Sequence, residues 1–359
     1  MRILKTSNTS GSVSEFILLS FPCRREIQRL LFVLFSLIYL LTLTGNLSII
    51  CAMWSSRKLH KPMFILLANF SFLEICYVSS DVPKLLATII SQTKSISYAG
   101  CLLQFYFFFS MCAAECLFLS VVSFDQFLAI YRPLHYPTIM THDLCAQLVG
   151  FCWAGGFLWL LTPLTLISQV PFCGPNTIDH FLCDLAPLLA LSCAPVPGTT
   201  LTCGIISSLI ISLTFLYILG TYFCVLRVVL QVPSGSGRHK AFSTCASHLA
   251  VVSLFYGSVM VMYVSPGSGD HPRVQKFVTL FYALATPFFN PLIYNFQNKD
   301  MKEALKNFHM YFCGKFLKDS RVELNNSSLI FRKMKDHETN EAMLFFFILI
   351  YFHSLGKWF

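Results

Sequence analysis

Residues 101–124 are the stretch that most constrains what this chain can fold into. Glu115 is the only charged side chain among them. A helix of about 20 predominantly apolar residues crosses a bilayer, and a spanning segment must satisfy its backbone hydrogen bonds internally. The stretch is therefore predicted to be a transmembrane helix. With a period of 3.6 residues, one face of this helix carries Cys101, Phe105, Phe108, Cys112 and Glu115.

The composition of the whole chain also indicates a membrane protein. Of its 359 residues, 55% are hydrophobic and only 12% are charged, whereas a soluble domain carries about 25% charged residues. The net charge of +9 does not require a nucleic-acid partner, because Lys and Arg often sit at the ends of apolar segments, as in membrane topology. Most of the 15 cysteines lie in apolar runs, where a free thiol packs as a small hydrophobe. We expect neither a soluble enzyme nor a nucleic-acid-binding protein.

Seven long apolar segments follow one another along the chain. Each is long enough to span a membrane as a helix. Their approximate bounds are 30–53, 62–85, 101–124, 144–167, 200–230, 241–264 and 277–296. The sequence therefore predicts an all-α membrane protein built as a seven-transmembrane helix bundle. Because seven is odd, the two termini would lie on opposite sides of the membrane.

The loops between these segments predict which terminus is extracellular. Lys and Arg are concentrated in the first, third and fifth connections and in the tail, which the positive-inside rule places in the cytoplasm. Three arginines just before the first segment argue the other way. The cysteine-rich loop after the fourth segment decides the matter, since disulfides persist only outside the cytosol. The N terminus is then extracellular, and Asn8 opens a glycosylation sequon there.

Two acidic residues fall at the middle depth of the predicted bundle. Burying a charged Glu74 or Glu115 costs about 2.5–3.5 kcal/mol each on the most lenient scale. These side chains should therefore face the interior and share a proton, a cation or a hydrogen-bond network with Asn46 and Asn290. Two neutral acids satisfied by their neighbours fit the sequence as well as an ion site does.

Four cysteines share the predicted outer side. Cys101 begins the third helix, and Cys173, Cys183 and Cys193 lie in the loop after the fourth. Four cysteines allow three pairings, and the sequence alone does not choose among them. His180 stands near Cys183 in the same loop, but this set lacks a full coordination shell, so no metal site is predicted.

An ordered series of short motifs runs from about residue 16 to residue 312. The motifs are Gly45-Asn46, LHKPMF at 59–64, LANFSFLE at 67–74, Ala114-Glu115-Cys116, SFDQFLAIYRPLHYP at 123–137, HFLCD at 180–184, KAFSTCASHLAVVSLFYG at 240–257 and PFFNPLIYNFQNKDMKEAL at 287–305. In this order and spacing, the chain resembles an olfactory receptor, a member of the rhodopsin-like G-protein-coupled receptors.

The resemblance implies a domain organisation and a set of structural residues. Residues 1–26 would form an extracellular segment, 27–312 the receptor domain with a short amphipathic eighth helix, and 313–359 a cytoplasmic tail with an atypical apolar end. Cys101 would pair with Cys183, and Cys173 with Cys193. The four polar residues at mid-depth would form a core similar to a sodium site. No cofactor is expected apart from a sodium ion that this core could hold.

The resemblance also implies a ligand site on the outer halves of the third, fifth and sixth helices. For every position, packing between helices is the alternative explanation. The candidate contacts are Phe105, Phe108, Phe109, Cys112, Ile206, Ser207, Ile210, Tyr256, Met260 and Tyr263.

The expected function is that of an odorant receptor in the plasma membrane. It would bind a small hydrophobic volatile molecule and signal through a heterotrimeric stimulatory G protein to adenylyl cyclase. The coupling residues would be Asp125, Gln126, Tyr222 and Tyr294. The family has Asp-Arg-Tyr where this chain has Asp125-Gln126-Phe127, so an orphan or coupling-defective receptor is the alternative. An ion-coupled transporter is a further alternative, because the two mid-membrane acids would suit it.

Overall fold

The computed structural model describes most of the chain between residues 13 and 308. The described ranges are 13–19, 21, 23–91, 94–173, 176–231, 236–263, 272–297 and 300–308. The predicted glycosylation residue Asn8 and the predicted tail 313–359 lie outside them, and the statements below concern the described ranges alone.

Helices make up most of the described residues. In chain order they are α1 (Arg25–Ser55), α2 (Pro62–Ile90), α3 (Tyr98–Tyr131), α4 (Tyr136–Ile139), α5 (His142–Trp159), α6 (Leu161–Ser168), α7 (Leu185–Leu189), α8 (Pro197–Gln231), α9 (Ser236–Tyr263), α10 (Pro272–Leu280) and α11 (Thr286–Gln297). A short 3-10 helix (Arg57–Leu59) follows α1, and a π-helical turn (Phe281–Ala285) joins α10 to α11.

Five helical stretches within the described residues are long and apolar enough to cross a membrane. They are α1, α2, α3, the combined stretch of α5 and α6, and α8. A shorter apolar stretch, His248–Met260, lies within α9. These stretches match six of the seven apolar segments seen in the sequence, and α10 and α11 occupy the place of the seventh.

Local signals set where several helices begin. The side chain of Ser97 accepts a hydrogen bond from the backbone N–H of Gly100 at 3.0 Å, and Thr141 caps α5 in the same way. These residues satisfy backbone donors that the first turn of a helix leaves unpaired. Pro62 occupies the first turn of α2, where its missing N–H costs nothing.

Helix α3 lies at the centre of the bundle and packs against α2, α5 and α8. Its contact with α5 depends on small residues. A Cβ atom added at Gly156 would lie 2.6 Å from the carbonyl oxygen of Ser110 and 2.7 Å from the Cβ of Ala114. The backbones of the two helices therefore approach too closely for any larger residue at this position.

A three-stranded sheet lies beside the Tyr98 end of α3, which makes the all-α prediction incomplete. Its strands are β1 (Glu15–Leu18), β2 (Ser95–Ser97) and β3 (Thr177–Ile178), in the order β2-β1-β3. Strand β1 pairs antiparallel with β2 and parallel with β3. Strands of two to four residues carry too few side chains for a period of two to be recognised in the sequence.

The predicted fourth helix also differs from the structure. Instead of one helix, the chain forms α5 and α6 with a break at Leu160, three residues before Pro163. Proline has no N–H to donate to the preceding turn and its ring clashes with that turn, so an unbroken helix is disfavoured here.

Helical residues 300–308 pack at the opposite end of the bundle. Met301 and Ala304 are buried against Ile49, Leu59 and Phe64. These contacts place the segment against the end of α1 and the beginning of α2. Two ion pairs, Lys58 with Glu303 and Lys61 with Asp300, link this segment to the turn before α2, but they are solvent-exposed and add little stability.

The close approach of α3 and α5 yields a stability prediction. Gly156→Ala should destabilise the protein by about 1–3 kcal/mol, because overpacking forces the helices apart. Gly150→Ala, on the same helix, is the matched control, since a Cβ atom added at Gly150 has no neighbouring atom within 4 Å. Thermal unfolding of the purified variants in lipid should show a lower midpoint for Gly156→Ala alone. Equal midpoints would contradict the close packing.

Candidate functional site

Two disulfides fix the loop that follows α6. Cys101 bonds to Cys183 with their Cα atoms 5.6 Å apart, and Cys173 bonds to Cys193 with a Cα separation of 4.7 Å. Both pairings implied by the resemblance are confirmed. Next to the first disulfide, Gln104 accepts a hydrogen bond from the backbone N–H of Cys183 at 3.2 Å. This loop is thus attached to α3 by a covalent bond and a hydrogen bond.

A buried lysine ties the same loop to two other parts of the chain. Lys276 of α10 forms an ion pair with Asp179 at 2.5 Å and donates a hydrogen bond to the carbonyl oxygen of Leu19 at 3.2 Å. Burial, and then the positive charge of Lys276, lower the pKa of His180 to about 4. The imidazole therefore stays neutral at physiological pH, and it stacks on Phe181.

A cavity of about 50 Å³ lies between α3, the α5–α6 break, α7, α8 and α9. It contains five of the ten predicted ligand contacts, namely Phe105, Phe109, Cys112, Ser207 and Ile210. The remaining lining residues were not predicted from the sequence: Ala113, Cys116, Trp159, Leu160, Pro163, Leu185, Cys203, Ile211 and Val259. Drug-sized ligands occupy pockets of roughly 300–1,000 Å³, so this cavity as it stands is too small for a ligand of that size.

Three of the other predicted contacts have different surroundings. The ring of Phe108 stacks on Tyr77 with centroids 4.8 Å apart. Ile206 presents its backbone carbonyl to the indole N–H of Trp159 at 3.1 Å. Tyr256 donates a hydrogen bond to the hydroxyl of Thr214 at 2.7 Å. None of the three lines the cavity.

Two predicted contacts remain on α9. Met260 is half-buried and does not line the cavity. The side chain of Tyr263 lies outside the described part of the chain. For all ten positions, a role in ligand binding stays a prediction.

The structure brings the predicted polar core together. The amide of Asn290 donates a hydrogen bond to Oε1 of Glu74, and Asn46 donates to the carbonyl oxygens of Thr42 and Pro287 at 3.0 and 3.3 Å. The side chain of Glu115, on α3, is also buried.

Three oxygens of this core have no hydrogen-bond partner among the described residues. They are Oε2 of Glu74, Oε1 of Glu115 and Oδ1 of Asn290, and all three are buried. Unpaired buried acceptors are costly. A proton on a carboxyl group or a cation between the oxygens would satisfy them.

The other end of α3 carries the predicted coupling residues. Gln126 accepts a hydrogen bond through Oε1 from the hydroxyl of Tyr222 at 2.8 Å, and the same hydroxyl lies 2.5 Å from Nδ1 of His248. This network joins α3, α8 and α9. The sequence reasoning identified Gln126 and Tyr222 but not His248, although it quoted the motif that contains it. The side chain of Tyr294 is outside the described residues.

Asp125 has a partner that the sequence reasoning also missed. The hydroxyl of Tyr136, in α4, donates a hydrogen bond to Oδ1 of Asp125 at 2.7 Å. Burial and then the neighbouring carboxyl raise the pKa of Tyr136 above its usual value, so this hydroxyl remains a donor. Asp125 is thus held by Tyr136, and the residue that follows it is Gln126 where the family has arginine.

Comparison with known proteins identifies the family. The model of the olfactory receptor family matches residues 35–312, which is more than half of the chain. The chain belongs to the olfactory receptor family. Members of this family are G-protein-coupled receptors rather than enzymes, so this chain is an odorant-sensing receptor of the multi-pass membrane type.

Individual relatives agree with this assignment. Human olfactory receptor 11G2 is 59% identical over 308 residues, which cover 86% of this chain and 89% of the relative. Human olfactory receptor 6N1 is 44% identical over 84% of this chain and 97% of its own length. Squid rhodopsin superposes with a TM-score of 0.64 at 14% identity, over 82% of this chain and 91% of its own. That structural likeness shows the rhodopsin-like fold.

The disulfide to α3 yields a prediction for maturation of the receptor. Cys101→Ser and Cys183→Ser should each cost about 2–5 kcal/mol, the usual loss when a native disulfide is removed, and should leave the receptor inside the cell. Cys224→Ser is the control, because Cys224 is free and exposed. Antibody staining of intact cells measures the outcome, and normal surface levels of either disulfide mutant would contradict it.

The cavity predicts a difference between two phenylalanines of α3. Phe109 lines the cavity, so Phe109→Ala should change the rank order in which odorants activate the receptor. Phe118 is buried between Phe70 and Trp153 and away from the cavity, so Phe118→Ala should cost about 3–5 kcal/mol of stability and leave the order unchanged. Dose–response curves at equal surface expression distinguish them. The same rank order in Phe109→Ala would place the ligand elsewhere.

Proposed function

We propose that this receptor binds a small hydrophobic odorant in the cavity beside α3 and signals through a heterotrimeric stimulatory G protein to adenylyl cyclase. The observation that carries the proposal is the cavity itself, since residues from five helices and the disulfide-bonded loop converge on it. An odorant that fits one arrangement of α8 and α9 better than another shifts the population toward it. The network of Gln126, Tyr222 and His248 joins the same helices at their other ends and would change with them.

The proposal includes a complete seven-helix architecture. The five long apolar stretches supply the first to fifth spans, α9 the sixth, and α10 with α11 the seventh. Helical residues 300–308 would form the eighth helix on the cytoplasmic surface. The two disulfides support an extracellular position for the loop after α6, and with it an extracellular N terminus and a cytoplasmic tail.

The polar core is a candidate for a sodium ion. Its fit rests on the three unpartnered oxygens of Glu74, Glu115 and Asn290, because hard cations prefer oxygen ligands. Asn46 would complete the surroundings from α1. A bound cation would supply the positive charge that lets both carboxyl groups ionise without repelling each other.

The coupling end of the receptor is weakened by Gln126. A glutamine is neutral and can accept the hydrogen bond from Tyr222, whereas arginine is a pure donor with a planar charged fork. Hydrogen bonds to charged groups contribute about 1.5–3 kcal/mol, against about 1 kcal/mol for neutral ones. Without that charge, the contact with the G protein should be weak. A coupling-defective receptor is therefore the second candidate function.

One experiment tests both candidates. Cells that co-express the olfactory stimulatory G protein are exposed to a broad odorant panel, and cAMP is recorded for the native receptor and for Gln126→Arg. We expect weak native responses and a higher maximal response in Gln126→Arg at equal surface expression, because the guanidinium restores a charged contact. Gln126→Lys is the matched control, which adds the charge without the planar fork and should recover less.

The outcomes separate the possibilities. Responses in Gln126→Arg alone would identify a coupling-defective receptor. Identical curves for the native and arginine forms would show that coupling does not need the arginine. Silence of both forms at the cell surface across the whole panel would contradict an odorant-sensing function.

A further inference from the structure

A basic surface forms where the end of α1 meets helical residues 300–308. Two distant segments of the chain come together here, because Met301 and Ala304 are buried against Ile49, Leu59 and Phe64. We call the exposed charged residues of this surface the basic patch. It contains five cations and two acids, namely Arg57, Lys58, Lys61, Lys302 and Lys306 with Asp300 and Glu303. The patch therefore keeps an excess of positive charge.

The two acids hold two of the lysines only weakly. Lys58 pairs with Glu303 at 3.6 Å, and Lys61 pairs with Asp300 at 3.7 Å. More than half of each of these four side chains is exposed, and exposed ion pairs contribute little to stability. Both lysines can therefore exchange a carboxylate for an anion of higher charge.

The remaining cations of the patch lie away from the two acids. Residues three or four positions apart share one face of a helix, so Asp300 and Glu303 line the flank that meets the turn before α2. Lys302 and Lys306 share a different flank, where like charges at this spacing repel each other. Arg57, in the turn, forms no ion pair with a described residue. An anion bound at these cations would relieve the repulsion.

Trp54 places the patch at the level of lipid headgroups. Its side chain is 56% exposed in the last turn of α1, a helix long and apolar enough to span the membrane. Tryptophan is enriched where a membrane meets water, and Arg57 follows only three residues later. Basic segments beside the cytoplasmic end of a spanning helix attract anionic lipids. Depth and charge of the patch therefore both match a lipid headgroup.

We propose that the basic patch binds a phosphoinositide, an anionic lipid of the cytoplasmic leaflet whose headgroup carries several phosphates. Arg57 would hold one phosphate with its planar fork of donors, and Lys302 with Lys306 would pair with another. A lipid fits better than a soluble polyphosphate, because Trp54 sets the depth at which acyl chains hold a headgroup. The proposal goes beyond odorant sensing and rests on the proposed cytoplasmic position of residues 300–308.

Direct lipid binding tests the proposal without an odorant or a G protein. Purified receptor in phosphatidylcholine nanodiscs is given phosphatidylinositol bisphosphate, or phosphatidylserine at equal total charge. Native mass spectrometry after release into detergent counts the lipids that stay bound. We expect selective retention of phosphatidylinositol bisphosphate. Equal retention of the two lipids by the native receptor, or retention of neither, would overturn the proposal.

A headgroup without acyl chains separates a lipid from a soluble ligand. Inositol trisphosphate is added as a competitor to the nanodiscs that contain phosphatidylinositol bisphosphate. We expect no displacement at equal concentrations. Full displacement would mean that the patch recognises a soluble polyphosphate, and the lipid assignment would be wrong.

Neutral variants assign the binding to the patch. Each Lys or Arg near an anionic surface strengthens binding about fivefold. The triple variant Arg57→Gln, Lys302→Gln and Lys306→Gln should therefore bind phosphatidylinositol bisphosphate roughly a hundredfold more weakly. Unchanged binding in this variant would overturn the proposal.

The matched control removes the same charge from the other end of α1. It replaces with glutamine three exposed arginines, namely Arg24, Arg25 and Arg29. This variant should bind the lipid as the native receptor does. An equal loss in both triple variants would indicate general attraction between charges and would overturn a specific patch.

Glu303→Gln should change binding in the opposite direction. Without this carboxylate, Lys58 is released to the lipid, and binding should strengthen about fivefold, the effect of one unit of charge. Glu26→Gln is the control, because Glu26 is exposed at the far end of α1. Misfolding does not produce a gain in affinity, so this variant decides even if the triple variant fails to fold. Unchanged or weaker binding in Glu303→Gln would contradict the proposal.

The outcomes are independent of the proposed odorant response. If no phosphoinositide binds while odorants still raise cAMP, this proposal fails and the proposed function stands. The position of residues 300–308 is checked with an epitope added after Phe359. Antibody staining of that epitope in intact cells would place this end of the chain outside and would overturn the cytoplasmic leaflet as the source of the lipid.

Discussion

The hydrocarbon interior of a membrane contains no water, so each polar group placed there must find its partner within the protein. The backbone meets this requirement by forming helices. Many hydroxyl side chains satisfy the requirement by donating a hydrogen bond to the backbone carbonyl oxygen one turn earlier, as Thr42 and Thr214 do. Glu74 and Asn290 meet it through each other. Against this background, three residues of the polar core stand out among the described residues, because Glu74, Glu115 and Asn290 each keep a buried oxygen without a hydrogen-bond partner.

The transmembrane helices could be predicted from the sequence because their signal is long and uniform. About 20 apolar residues in a row leave few alternatives to a spanning helix, and the observed α2 begins at the predicted Pro62. The outer sheet could not be predicted, since strands of two to four residues depend on pairing with distant segments. The break at Leu160 lies three residues before Pro163. Pro163 made such a break more favourable, but it did not fix the position.

The candidate site was predictable in part, because its residues lie on helices with a regular period. Helical periodicity placed Phe105, Phe108 and Cys112 on one face of α3, and all three do lie toward the interior. Periodicity does not show which neighbour each side chain meets. The ring of Phe108 stacks on Tyr77, whereas the ring of Phe105 lines the cavity. Partners such as Tyr136 and His248 escaped notice because each becomes significant only when another helix brings it to Asp125 or to Tyr222.

The position of β1 in the outer sheet has a consequence for how the receptor is made. This strand lies between β2 and β3, with Ile17 opposite both Ser95 and Thr177. Synthesis begins at the N terminus, so β1 emerges before its partners. It cannot complete its pairing until α1 to α6 and the loop with β3 have been made. Unpaired strand edges invite aggregation of unfinished chains. The earliest described residues are therefore among the last to reach their final place, and delayed insertion of any of those helices would leave the nascent receptor exposed to quality control.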